Sequence, residues 1–239
     1  MKEVYKSILK ETCLVVVLTL IYLWEGDFSN TGEAGWYAGL YGVSPNGMDY
    51  IKSGVWIVPL WCVLVYALRE LQQEFESRIF FTSIRYSSYC NYIKQLLFKT
   101  GKRAVGMGSI NCICFISICT IQANVRGRLN WINWEHMAKA SILYTLGVLF
   151  FSVIMFWIFV FSQSLYWVLG SQIALFSMLF FVSYIPNWGP RVLPICWTSL
   201  VYSSEMWKEG YSLLGIILLE IFLIGVICIC GTYRCSRKI

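Results

Sequence analysis

Charge is what this sequence most conspicuously lacks. Only 13% of its 239 residues are Asp, Glu, Lys or Arg, against roughly a quarter in an average soluble domain. A water-soluble globule of this length cannot be clothed with so few charges. Histidine is nearly absent too, since His136 stands alone. That argues against Cys/His metal chemistry, which needs several convergent ligands. The zinc-protease pattern His-Glu-x-x-His and the phosphate loop Gly-x-x-x-x-Gly-Lys-Ser/Thr are both missing. Lys99-Thr-Gly-Lys102 is only a fragment of the latter. Gly106-Met-Gly-Ser109 loosely resembles a serine-hydrolase loop, but nothing in the sequence ties Ser109 to His136. No catalytic residue is assigned, no cofactor or metal is expected on this chain, and it is not read as an enzyme.

What is abundant is apolar. Hydrophobic residues make up 58% of the chain, with eleven Trp, fifteen Tyr and fifteen Phe, and the mean hydropathy is +0.62. A bilayer supplies the apolar solvent this composition demands, and amphipathic rings suit its water–lipid boundaries. The expected fold is all-α: one polytopic transmembrane domain over residues 1–239 with about six spanning helices. The spans are expected near 13–24 (starting as early as residue 8), 54–68, 104–123, 140–161, 166–185 and 211–233. Residues 1–12 place Val4, Tyr5, Ile8 and Leu9 at helical spacing opposite lysines and glutamates, which predicts a separate helix lying in the membrane interface. Glu25-Gly26-Asp27-Phe28 offers no small-residue cleavage site, so the first span reads as a retained anchor. Between the fourth and fifth spans only 162–164 remain, which requires a tight hairpin. Residues 186–210 carry Pro186, Gly189, Pro190 and Pro194, and their apolar core at 195–202 is too short to span. They read as an outer re-entrant or interfacial segment.

Ten cysteines raise the question of disulfides. Cys13, Cys62, Cys112, Cys114, Cys119, Cys228 and Cys230 fall within apolar runs, while Cys90 and Cys235 lie in basic segments assigned to the cytoplasm, where thiols stay reduced. They are expected to act as small apolar packing residues. The net charge of +6 belongs to topology rather than to nucleic acid, because most basic residues flank apolar runs. With the N-terminus inside, the cytoplasmic side holds Lys2, Lys6, Lys10, the seven basic residues of 69–103, and the three of the C-terminal tail. The outer side keeps six of the nineteen. The positive-inside rule therefore places both termini in the cytoplasm, with the plasma membrane as the expected location.

Three polar residues at membrane depth are candidates for a translocation path: Glu220, Asn111 and Gln172. Glu220 is the sharpest, because a carboxyl group near the middle of a span is costly and faces protein or water. A polar group there also serves as an interhelical hydrogen-bonding link, the competing role for all three and for Ser177.

The segment 69–103 holds the acidic stretch Glu74-Phe75-Glu76, then Arg78, then Arg85-Tyr86-Ser87-Ser88, then Tyr92-Ile93-Lys94. Ser87 or Ser88 can N-cap a new helix, whose Tyr92, Ile93, Leu96 and Leu97 form an apolar stripe. A helix, a break at 85–87 and a second amphipathic helix are thus expected before the third span. This arrangement resembles the permease subunits of ABC exporters with six helices per subunit, the type V class, which also have an N-terminal interface helix and re-entrant helices before the last span. The resemblance implies a cytoplasmic coupling loop in which Glu74, Glu76, Arg78, Arg85, Tyr86 and Ser87 dock on a separate ATPase subunit. ATP and Mg would bind that partner, and a second permease subunit, identical or similar, would complete the pore. A peptide, a lipid or an amphipathic compound would be exported. An ordinary basic loop that sets topology and binds anionic membrane lipid would leave the same charge pattern. The alternative from another class is a non-transporting immunity or assembly factor that binds a partner within the bilayer.

The orientation makes a prediction. Single cysteines placed at either terminus of a cysteine-free variant should be labelled by an impermeant maleimide only after the cells are opened. A C-terminus labelled on intact cells would invert the assignment.

Overall fold

The computed structural model describes residues 2–25, 40–41, 56–62, 64–65, 69, 71–73, 89–181, 189–206, 208 and 210–237. Its elements are α1 (Lys2–Glu25), α2 (Tyr89–Val125), α3 (Trp134–Ser162), α4 (Leu165–Phe181), the short α5 (Gly189–Val192) and α6 (Pro194–Trp197), and α7 (Leu213–Arg237). Single 3-10 turns lie at Leu129–Trp131 and Leu200–Tyr202. Further helical residues occur between 56 and 73. Among the described residues the only β pairing is one isolated parallel bridge, Ser203 with Tyr211. The fold is all-helical, and α2, α3 and α7 are each long and apolar enough to cross a membrane. The apolar stretches Thr12–Ile21 and Leu165–Met178 are shorter.

Helix α3 begins where Asn133 caps it. The Asn133 side-chain oxygen accepts from the backbone N–H groups of Glu135 at 3.1 Å and His136 at 3.2 Å, satisfying donors that a helix start leaves orphaned. It ends at Gln163, which adopts a left-handed conformation (φ 51°) and donates its N–H to the Phe159 carbonyl at 2.7 Å. That left-handed residue is what lets the chain reverse into α4 over 162–164.

Helices α2 and α3 run antiparallel through a connection at 126–133 and share the most extensive interface. A Cβ added at Gly108 would meet Thr145 at 3.5 Å, and one at Gly101 would meet Leu149 at 3.3 Å. Further along, the Cys112 Sγ lies 4.0 Å from the Ser141 carbonyl. Helix α7 lies against α3 and α2, with the Cys90 Sγ 3.9 Å from the Thr232 carbonyl and Arg234 4.9 Å over the Phe161 ring. The basic start of α2, the 162–164 hairpin and the end of α7 therefore gather at one end of the bundle.

Two expectations are corrected by this arrangement. Residues 2–25 form one uninterrupted helix, so no hinge separates an interface helix at 1–12 from the first span. The sequence KEVYKSILKET contains no Gly or Pro to end a helix there. Likewise, the amphipathic stretch before the third span and the span itself are one 37-residue helix. At 1.5 Å per residue it is about 55 Å long, well beyond the ~30 Å hydrocarbon layer, so its basic end projects. Where it is described, the segment 186–210 holds the short helices α5 and α6 and the turn at Leu200–Tyr202. Its apolar residues Ile195, Cys196, Leu200 and Tyr202 are fully buried in the main core. The coupling-loop residues Glu74, Glu76, Arg78, Arg85, Tyr86 and Ser87 lie outside the described residues.

The core is keyed by two close approaches. A Cβ on Gly147 of α3 would collide with Thr198, just after α6, and one on Gly231 of α7 would collide with the Trp157 ring. In lipid, van der Waals fit at small residues is what holds helices together. Gly147→Ala should therefore destabilise the detergent-solubilised protein by about 1–3 kcal/mol. Gly170→Ala, where no atom lies within 4 Å of the new Cβ, should not. Thermal melting of the two variants checks this, with Thr198→Gly as the expected partial rescue of Gly147→Ala.

Candidate translocation site

The three polar candidates come from three different helices, and all are buried. Asn111 of α2 is 3% exposed, while Gln172 of α4 and Glu220 of α7 are 0% exposed. Their surroundings differ. The Gln172 Oε1 accepts from the Trp61 Nε1–H at 3.0 Å, which ties α4 to the helical stretch at 56–62, while its Nε2 finds no partner. Asn111 has neither its oxygen nor its nitrogen hydrogen-bonded, and Glu220 has neither carboxyl oxygen hydrogen-bonded. The structure thus brings all three inside the bundle but joins none of them to another. Ser152, on α3, and Ser203 are further buried side chains whose hydroxyls find no partner. Ser177 is satisfied within its own helix, donating to the Ile173 carbonyl at 2.7 Å, so it plays no interhelical role through that bond.

An unpartnered buried polar group costs about 1–3 kcal/mol, and more where it is charged. Glu220 therefore sits in a place that calls for a donor: a proton, a cation or a ligand N–H. It faces inward because α7 buries only one stripe. Ile216, Glu220, Gly231 and Cys235 are buried, whereas Leu214, Leu218, Phe222 and Ile229 on its other side are exposed.

At the start of α7 a second polar construction was not legible beforehand. The Tyr211 hydroxyl lies 3.2 Å from the carbonyls of both Cys196 and Trp197 and closer still to that of Ser199. With one proton to give, it bonds to Ser199 and sits in the negative field of the other two, so it plugs the end of α6. The Ser199 hydroxyl in turn donates to the Tyr41 carbonyl at 2.6 Å. Burial pushes the Cys196 thiol up to about 12, which leaves it an inert packing group.

The same end carries a charged cluster. The Lys139 ammonium lies 2.6 Å from Glu135, one helical turn away, and 2.7 Å from Glu205. The His136 Nε2 is 3.9 Å from the other oxygen of Glu205. The Glu135–Lys139 pair has the i,i+4 spacing that sequence displays. Glu205 arrives from 66 residues away, which no local pattern announces. Ser109 does not join His136. Cys112 is level with Ser141, which places the two about 12 Å apart along the helix axes. Among the described residues no group of His, Cys, Asp or Glu side chains could hold a metal ion.

No family model, curated protein or solved structure matches the chain.

Because Glu220 makes no hydrogen bond, removing its carboxyl group should cost the fold nothing. Glu220→Leu is expected to leave the melting temperature unchanged or to raise it, by up to the equivalent of about 1–3 kcal/mol. A clear loss of stability would identify Glu220 as a link between helices instead.

Proposed function

We propose that the chain is the membrane-spanning permease subunit of an ATP-driven ABC exporter, working beside a second permease subunit and a separate ATPase. The observation that carries this reading is Glu220: a fully buried carboxyl group with no hydrogen-bond partner, in a helix apolar enough to cross a membrane. Such a group is expensive to keep, and a substrate or ion pathway is the role that warrants it. Asn111 on α2 and Gln172 on α4 supply further unsatisfied polar atoms. Six crossing segments fit the reading: α1, the stretch around 56–73, α2, α3, α4 and α7. Both termini and the basic start of α2 lie in the cytoplasm, and the plasma membrane is the host. The loop carrying Glu74, Glu76, Arg78, Arg85, Tyr86 and Ser87 docks on the ATPase, which binds ATP and Mg. The exported compound is a peptide, a lipid or an amphipathic molecule.

The test is reconstitution with an ATPase subunit encoded by a neighbouring gene. Copurification and ATP hydrolysis stimulated by candidate peptides or lipids are expected. Arg85→Glu should abolish the association. Glu220→Gln should keep association and expression but cut transport about tenfold or more, as expected where an intramembrane polar contact is lost from the path. Full transport by Glu220→Gln would remove Glu220 from the pathway. Unchanged copurification and activity in Arg85→Glu would remove the coupling-loop assignment. A chain that binds no ATPase would be read instead as a factor acting on a partner within the bilayer.

A further inference from the structure

The outward face of α2 changes character along its length. Lys94, Phe98, Lys102, Val105, Ser109 and Ile116 recur at three-, four- and seven-residue spacing, so they share one side of the helix. From Val105 onward that side forms the floor of an apolar groove of about 490 Å³, walled by Ile142 and Leu149 of α3 and Ile221 of α7. From Val105 to Ile116 the groove follows α2 for about 16 Å. It opens sideways, for Ile113 at its edge is 63% exposed and Ile142 is 54% exposed. The Ser141 hydroxyl on its wall is engaged by its own helix, donating to the Met137 carbonyl at 2.8 Å. Lys102 lies one turn beyond Val105 on the same side and is exposed, as is Lys94 two turns further out. No hydrogen bond or ion pair among the described residues holds either ammonium group.

We propose that this groove binds one anionic phospholipid, with an acyl chain along Val105–Ile116 and the phosphate on Lys102. The charge pattern selects that occupant. All three walls belong to helices apolar enough to cross a membrane, so the open side faces acyl chains. The exposed cation at the groove's end stands where the long α2 leaves the hydrocarbon, the depth of a headgroup. Basic pockets between transmembrane helices bind anionic headgroups in this way. A neutral lipid would leave Lys102 unanswered. A second copy packed about a two-fold axis through this face would bring the same lysines toward one another. Lys94 and Lys102 belong to the 69–103 segment, but the inference uses neither Glu220 nor any residue assigned to ATPase docking, so it stands apart from the transport reading.

The test is native mass spectrometry of the full-length protein released from nanodiscs made of equal phosphatidylglycerol and phosphatidylcholine. The wild type should retain one phosphatidylglycerol per chain in preference to phosphatidylcholine. Lys102→Ala should lower that retention about fivefold, and Lys102→Arg should preserve it. Ile113→Trp, at an exposed position, should close the groove and release the lipid with Lys102 intact. Circular dichroism identifies any variant that has lost its helices, and Lys102→Ala and Ile113→Trp provide independent readings. Equal retention of the two lipids by the wild type would overturn the proposal, and so would unchanged retention in both variants. Preferential retention of free oleate over phosphatidylglycerol would also overturn it. A dimer lost in Ile113→Trp with lipid retention unaltered would assign the groove to a second copy.

Discussion

Helix α3 is apolar along almost its whole length, and fifteen of its residues are buried. A helix that is hydrophobic all round has no face to offer water, so it must be surrounded. Here it is surrounded by protein: α2 on one flank, α7 on another, and α4 with the short segments around α6 against the rest. Contrast α7, just as apolar but with one buried stripe and a lipid-ready face. In a bilayer the hydrophobic effect does not choose between these two positions, because lipid tails are as apolar as leucine. Shape does. Gly147 lets Thr198 lie directly on α3, and the Trp157 ring lies directly on Gly231 of α7. The remaining helices take their places from these contacts.

With the packing fixed by fit, polar groups acquire a different meaning. Most are spent locally, as in Thr100 donating to the Leu96 carbonyl at 3.0 Å and Ser177 to Ile173. The Tyr211 hydroxyl adds a donor at the end of α6, bonding to the Ser199 carbonyl, which also accepts from the Tyr202 N–H at 3.4 Å. Asn111, Ser152 and Glu220 are left outside this economy. The contrast is between a single-turn helix that gains a tyrosine donor and a buried carboxyl group that has none.

The long apolar helices were legible in the sequence because hydropathy needs no knowledge of neighbours. The 162–164 hairpin was legible for the same reason, as two apolar runs too long for one helix. Burial of Glu220 followed from its place in such a run. The continuity of α2 was not legible. The basic residues before its span suggested a change of environment, and a helix can change environment without ending. Nor was the separate interface helix at 1–12 sustained, since amphipathic spacing alone carries no stop signal. The Trp61–Gln172 bond and the Lys139–Glu205 pair join residues 111 and 66 positions apart, a register that only helix packing sets. The face of α7 that receives Glu220 likewise depends on Gly231, whose role is visible only against Trp157.

The placement of these contacts bears on how Glu220 can exist at all. At one end of α7, Tyr211 is bonded to the turn after α6, and the neighbouring Thr198 is seated on Gly147 of α3. At the other end, Gly231 receives Trp157 and Arg234 covers Phe161, both on α3. Glu220 lies between, nine residues past Tyr211 and eleven before Gly231, about 14 and 16 Å along the axis. A carboxyl group without partners pushes its helix toward any rotation that would find it one. Two fastenings on either side oppose that rotation, and each depends on a fit that a single methyl group would spoil. The cost of the bare carboxyl group is thus offset by packing at a distance from it, on both sides of Glu220 along the helix.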